Sequence, residues 1–257
     1  MALQDERAAL RLILRCMRQP PSAISLAPIR PLDRAFFARS PRVVARELLG
    51  KVLVRQDRSA YIAARIVEVE AYLGENDPAA HAAAGSTLRN AVLFGPPGFA
   101  YVYFIYGNHY CLNVSCEREG KAGCVLLRAL EPLLGVEDMA RARGVTVRGP
   151  RDLLKLTSGP GRLAEAFGIT RARDNGCDLA LPQSGLPSSS LWIGSDGFRA
   201  RGVRVTPRIG ITKAADRPLR YLLGGNAFVS GRKGWSESLP KRGIAGLRGR
   251  PQRLKPH

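Results

Sequence analysis

Residues 66–72 read Ile-Val-Glu-Val-Glu-Ala-Tyr. A strand through them has a side-chain period of two, so Ile66, Glu68, Glu70 and Tyr72 share one face, with successive members ~6.7 Å apart. Two carboxylates beside a phenol are the raw material of general acid–base chemistry. Two acids alone would serve as well on a solvated outer face, so their surroundings decide. Asn113, in Cys111-Leu112-Asn113-Val114-Ser115, and Arg128, in Cys124-Val125-Leu126-Leu127-Arg128-Ala129-Leu130, each interrupt an apolar run. An arginine at the centre of such a run needs a carboxylate or phosphate partner. Charge pairing alone leaves Glu70, Glu68 and Glu131 all open for that place. His81, one of three histidines, reads by itself as a capping or internally satisfied group.

Seven of the chain's aromatic residues (Phe94, Phe99, Tyr101, Tyr103, Phe104, Tyr106 and Tyr110) fall within residues 94–110. The phenylalanines suit a core. Four tyrosines in one hairpin of a basic protein also make a stacking surface for bases. The chain must turn at Gly107, which puts Tyr106 at the hairpin tip, where an aromatic ring can wedge into a base stack.

These groups need a scaffold. Ser40-Pro41 is a helix start, Val44 and Leu48 stand four apart, and Gly50 ends the run. Strands are predicted at 52–54, 61–72, 99–106, 110–115, 124–131, 190–194, 203–212, 218–223 and 226–230, with helices at about 135–143 and 160–167. Short polar turns join the strands at 99–106, 110–115 and 124–131, and hairpins imply an antiparallel sheet. The expectation is an α+β fold, a single compact domain over residues 31–231 around a curved antiparallel sheet with flanking helices and a protruding β-hairpin. Residues 1–30 read as a basic, flexible extension and 232–257 as a basic, disordered tail.

The net charge is +19 over 257 residues. Residues 1–31 account for +3, five arginines against Asp5 and Glu6, and residues 231–257 for +7, eight basic groups against Glu237, which leaves +9 between them. A basic body as well as basic tails points to a polyanionic partner for the folded surface. Five irregularly spaced cysteines suggest reduced thiols and an intracellular protein, in the cytoplasm or nucleoid if the source is bacterial. No apolar run approaches a membrane span. Sparse histidines and unpaired cysteine spacing argue against a metal, and no Gly-rich phosphate loop argues for a nucleotide, so no cofactor is expected.

With these residues assembled, the body resembles the alkyladenine/3-methyladenine DNA glycosylases, the monofunctional family distinct from helix-hairpin-helix glycosylases. The resemblance is carried by Arg65 to Gly74, Asp77 to His81, Thr87-Leu88-Arg89-Asn90, Tyr101 to Gly107, Cys111-Leu112-Asn113, Val125 to Pro132, Ser158-Gly159-Pro160, Pro207 to Ile211 and Arg217 to Arg220. It implies that Glu70 is the general base activating water, and that Arg128 and the main-chain carbonyl of Ile209 help hold that water. It implies further that Tyr72, His81 and Tyr103 line the base pocket, that Asn113 discriminates among purines, and that Tyr106 fills the gap left by the flipped nucleotide. Glu68 and Tyr101 fall to structural roles. The implied partner is double-stranded DNA containing alkylated purines, and the implied state is a monomer.

The chemistry is consistent with those roles. A purine alkylated at N3 or N7 is cationic, a good leaving group, and favoured between phenol rings by ~0.5–2 kcal/mol. Neutral lesions such as hypoxanthine and ethenoadenine would need a proton on the departing base. An alternative reading of the same charge and tyrosines is a single-strand binding module, which gives Glu70 no role. A glycosylase/lyase using a lysine such as Lys213 is a third.

Overall fold

The computed structural model describes residues 28–57, 60–105, 107–180 and 189–231. The expected extension up to residue 27, Tyr106 and the tail from 232 lie outside the described residues. In chain order the elements are β1 (Arg30–Pro31), α1 (Arg34–Phe37), α2 (Pro41–Leu48), β2 (Val52–Asp57), β3 (Tyr61–Tyr72), β4 (Ala100–Ile105), β5 (His109–Ser115) and β6 (Cys124–Leu134). They continue with α3 (Val136–Ala142), α4 (Pro150–Leu156), α5 (Pro160–Ala166), α6 (Arg171–Asp174), β7 (Ser189–Ser195), β8 (Val203–Thr206) and β9 (Arg220–Leu223).

All described strand pairs are antiparallel, in one sheet of order β1-β7-β2-β3-β6-β5-β4, with β9 on β3 and β8 on β9. The fold is a single-domain α+β fold built on a curled antiparallel sheet. Strand β3 organises it. Its first half pairs with β2, up to Val52 opposite Arg65, its second half with β9 from Glu68 to Glu70, and β6 runs along its other edge. Flanked on both sides, β3 buries every residue from Ile62 to Ala71, so its acids do not lie on a solvated face.

Helix α2 has Pro41 at its first position and buries Pro41, Val44, Ala45 and Leu48. The spacing makes one apolar stripe, and each large aliphatic so buried is worth about 1.5–3 kcal/mol. Ser40 precedes it without a side-chain cap bond. The main core joins Val44 and Leu48 to Val67, Leu127, Met139, Leu163 and Phe167. A separate apolar cluster of Ala82, Leu93, Tyr101, Ala122 and Cys124, with Tyr72, Phe94 and Tyr103 against it, forms a second layer beside the strand ends.

Several boundaries differ from expectation. The strand expected at 203–212 stops at Thr206, where Pro207 offers no N–H to the ladder. Residues 226–230 form turns rather than a strand, and strand β5 starts at His109, inside the expected turn. The short helices α1, α4 and α6 were not anticipated; α1 and α6 are four residues each, too short for a periodic signal. Among the described residues no helix is long and apolar enough to cross a membrane.

Candidate active site

The site begins with an irregularity in the β3–β6 ladder. Glu68 pairs with Ala129 and Val69 with Leu127, so Arg128 is the extra residue of a bulge. Bulges re-aim side chains, and this one lets a single guanidinium meet both acids. Arg128 Nε donates to Glu68 Oε1 at 2.9 Å, and Nη1 lies 3.1 Å from Glu70 Oε1. Burial would lower the Arg128 pKa, but the two carboxylates outweigh it and hold the cation charged. Glu131, the third candidate partner, instead accepts from Asn226 Nδ2 at 2.9 Å.

Glu70 is fully buried. Oε1 also accepts the main-chain N–H of Ile209 at 2.8 Å, and Oε2 accepts the Tyr72 hydroxyl at 3.0 Å. A carboxylate offers about four lone-pair directions. Three are taken, which by count leaves one on Oε2. Burial and then the charge of Glu70 push the Tyr72 phenol far above its ordinary pKa, so it remains a donor. The resemblance singled out the carbonyl of Ile209; the contact found is through its amide.

Ile209 and Tyr72 are themselves held by a pair whose role had no sequence signal. Arg208 and Asp77 form a fully buried ion pair, with Arg208 Nη2 on Asp77 Oδ1 at 2.8 Å and Nη1 also on Asp77 Oδ2. Nη1 further donates to the carbonyl of Ala71 at 3.1 Å, and the guanidinium sits 4.6 Å from the centre of the Tyr72 ring. Burial favours protonated Asp77, but Arg208 and main-chain amides prevail and hold its carboxyl below the usual value.

Above this floor opens a cavity of about 530 Å³ lined by Tyr72, His81, Tyr103, Asn113, Arg128 and Ile209 among others. That is within the range of small-molecule sites. His81 packs edge-on to Tyr103, with ring centroids 4.4 Å apart, and its Nδ1 lies 2.9 Å from the Tyr101 hydroxyl. Burial, and then the charge of Arg89, lower the His81 pKa below 6.5, which favours a neutral ring. Burial raises Tyr101 to about 12 and Tyr103 higher still, so the phenols stay uncharged.

Asn113 Nδ2 donates to the Tyr101 carbonyl at 3.1 Å, and the Cys124 thiol lies 3.8 Å from Oδ1. These contacts set the amide's orientation and leave one Nδ2 hydrogen for the cavity. Tyr106 lies outside the described residues, between Ile105, which lines the cavity, and Gly107, whose φ of +73° makes the turn at the hairpin tip. Among the described residues no group of three or more His, Cys, Asp or Glu converges as metal ligands would.

A buried, hydrogen-bonded carboxylate near an aromatic-walled cavity, on a basic α+β scaffold, suits general acid–base chemistry on a planar guest. The family model for methylpurine-DNA glycosylase matches residues 35–227. A protein of Koribacter versatilis is 62% identical over 209 residues, covering 81% of this chain and 97% of that protein. One of Rhodopseudomonas palustris is 50% identical over 210 residues (82% and 94%), and one of Methanoculleus marisnigri 46% over 205 (78% and 99%). All three carry the name "Putative 3-methyladenine DNA glycosylase". The chain belongs to the methylpurine-DNA glycosylase family. It is a monofunctional DNA glycosylase, a hydrolase of the N-glycosidic bond.

Proposed function

We propose that the protein flips alkylated purines of the 3-methyladenine type out of duplex DNA into the cavity and hydrolyses the glycosidic bond, leaving an abasic site. The observation that carries this reading is the satisfaction pattern of Glu70. Three donors fix its carboxylate, and the open lone pair on Oε2 is the place for a water O–H. Water held there attacks C1′ while the anion stabilises the oxocarbenium-like sugar, so one carboxylate supplies both functions. Arg128 orients Glu70 and the water, assisted by the main chain at Ile209.

The electron-rich faces of Tyr72 and Tyr103, with neutral His81 against Tyr103, receive the cationic purine. Asn113 reads its edge through the remaining Nδ2 hydrogen and disfavours a base with a donor at that position. Extrusion costs a few kcal/mol, least where alkylation has weakened pairing, and Tyr106 at the hairpin tip offsets the lost stack. The protein acts as a monomer, inside the cell.

The test is incubation of methylated duplex DNA with purified protein, followed by identification of the released bases. Free 3-methyladenine, with alkali-labile sites and no strand scission, is the expected result. Binding without release would return the protein to a binding module, and scission trapped by borohydride would assign it a lysine nucleophile.

A further inference from the structure

Glu68 is as buried as Glu70 and stands two residues away on β3, yet its surroundings are different. Its Oε1 accepts from Arg128 Nε at 2.9 Å, Arg220 Nε at 2.7 Å and the Ser230 hydroxyl at 2.9 Å. Oε2 accepts the Ser230 main-chain N–H at 2.6 Å. Arg220, on β9 opposite Glu70 in the ladder, is fixed in turn by the Ser230 carbonyl at 2.9 Å and Thr206 Oγ1 at 3.3 Å. Glu68 thus takes four donors, three on Oε1 and one on Oε2, against three on Glu70, and neither acid is among the residues lining the cavity.

What it does hold is Arg128. A free arginine beside one carboxylate settles into a two-pronged pair that uses both faces of the fork. Here Nε is taken by Glu68, so Nη1 alone meets Glu70, and the cation is divided between two anions. We propose that Glu68, set by Arg220 and Ser230, is a positioning residue of the reaction, holding Arg128 Nε so that Nη1 is aimed at Glu70. The proposal rests on the reading of Glu70 as the base.

The groups facing Glu70 define how its loss would register. They are Arg128 from β6, Tyr72 and Glu68 from β3, Cys111 from β5, Arg220 from β9 and Arg208 after β8. Glu68→Gln removes the neighbouring like charge and returns the whole of Arg128 to Glu70.

The experiment compares single-turnover base release and abasic-site affinity for the full chain, Glu68→Gln, the double variant Glu68→Gln/Arg220→Gln and, as control, Glu70→Gln. A fall of up to about 10²-fold is expected for Glu68→Gln, the cost of slightly misplacing a catalytic group. Affinity for an abasic-site duplex should stay within a few fold of wild type, so that the loss falls on the release step. The double variant removes a charge-neutral pair, which buried sites tolerate better than a single deletion. It should show the same loss, and carries the test if the single variant does not fold. A folded variant with wild-type rate, or one whose loss of rate is matched by an equal loss of abasic-site affinity, overturns the proposal alone. Near-normal release by Glu70→Gln overturns the reading of Glu70 and this proposal with it.

Discussion

The main-chain N–H of Ile209 donates to Glu70 Oε1 at 2.8 Å across 139 residues of sequence. A backbone donor cannot be removed by side-chain substitution, so Glu70 is oriented from the loop after β8 as well as by Arg128. Replacing Glu70 by Gln keeps the shape but removes the charge and most of the basicity. Glu70→Gln is expected to lower single-turnover base release by ~10²–10⁴-fold while affinity for an abasic-site analogue changes only a few fold. Release rates near wild type would exclude Glu70 as the base.

The Asp77–Arg208 pair is expected to matter twice, for stability and for the floor of the cavity. Asp77→Asn leaves a buried guanidinium without its counter-charge, at a cost of about 3–5 kcal/mol. The pKa of Asp77 is lowered on folding from its ordinary 3.8. Its contribution is therefore complete above that value and lost as the pH falls through the folded pKa. Denaturant midpoints for wild type and variant should differ widely at about pH 6 and draw together as the pH falls below 3.8. A gap independent of pH would show that the pair does not contribute through charge.

Much of this site was legible because strand alternation set Glu68, Glu70 and Tyr72 on one face and because Arg128 stood out in an apolar run. Which acid it would meet was not legible. The answer depends on the bulge at Arg128, and one extra residue in a ladder leaves no mark on a hydrophobic pattern. Resemblance, rather than spacing, distinguished Glu70 from Glu68. The Asp77–Arg208 contact spans 131 residues and has no local signal. Of the helices not anticipated, α4 alone carried a usable sign, Pro150 after Gly149 at its start.

His81 offers a test of the cavity's electrostatics. Burial, and secondly the nearby charge of Arg89, depress its pKa below 6.5, so its charged form belongs to the more acidic side of that value. In an NMR titration the resonance lost in His81→Asn should have its midpoint below 6.5, the ordinary histidine value. A midpoint at or above 6.5 would mean a cationic ring in the cavity near neutrality, a poor neighbour for a cationic purine.

Tyr106 separates a wedge from a core residue. Its neighbour Ile105 lines the cavity and Gly107 turns the chain at φ +73°. If that ring replaces the extruded nucleotide in the stack, Tyr106→Ala should keep the wild-type melting temperature within a few degrees and weaken capture of lesions in duplex DNA. The deficit should shrink when the lesion faces a mismatch or a gap, because less stacking then has to be replaced. A core tyrosine would behave in the opposite way: truncation would cost ~3–5 kcal/mol of stability and slow release equally on every substrate. Melting temperature and single-turnover rates on paired and mismatched lesions decide between them, and a large loss of stability with a uniform loss of rate would sink the wedge.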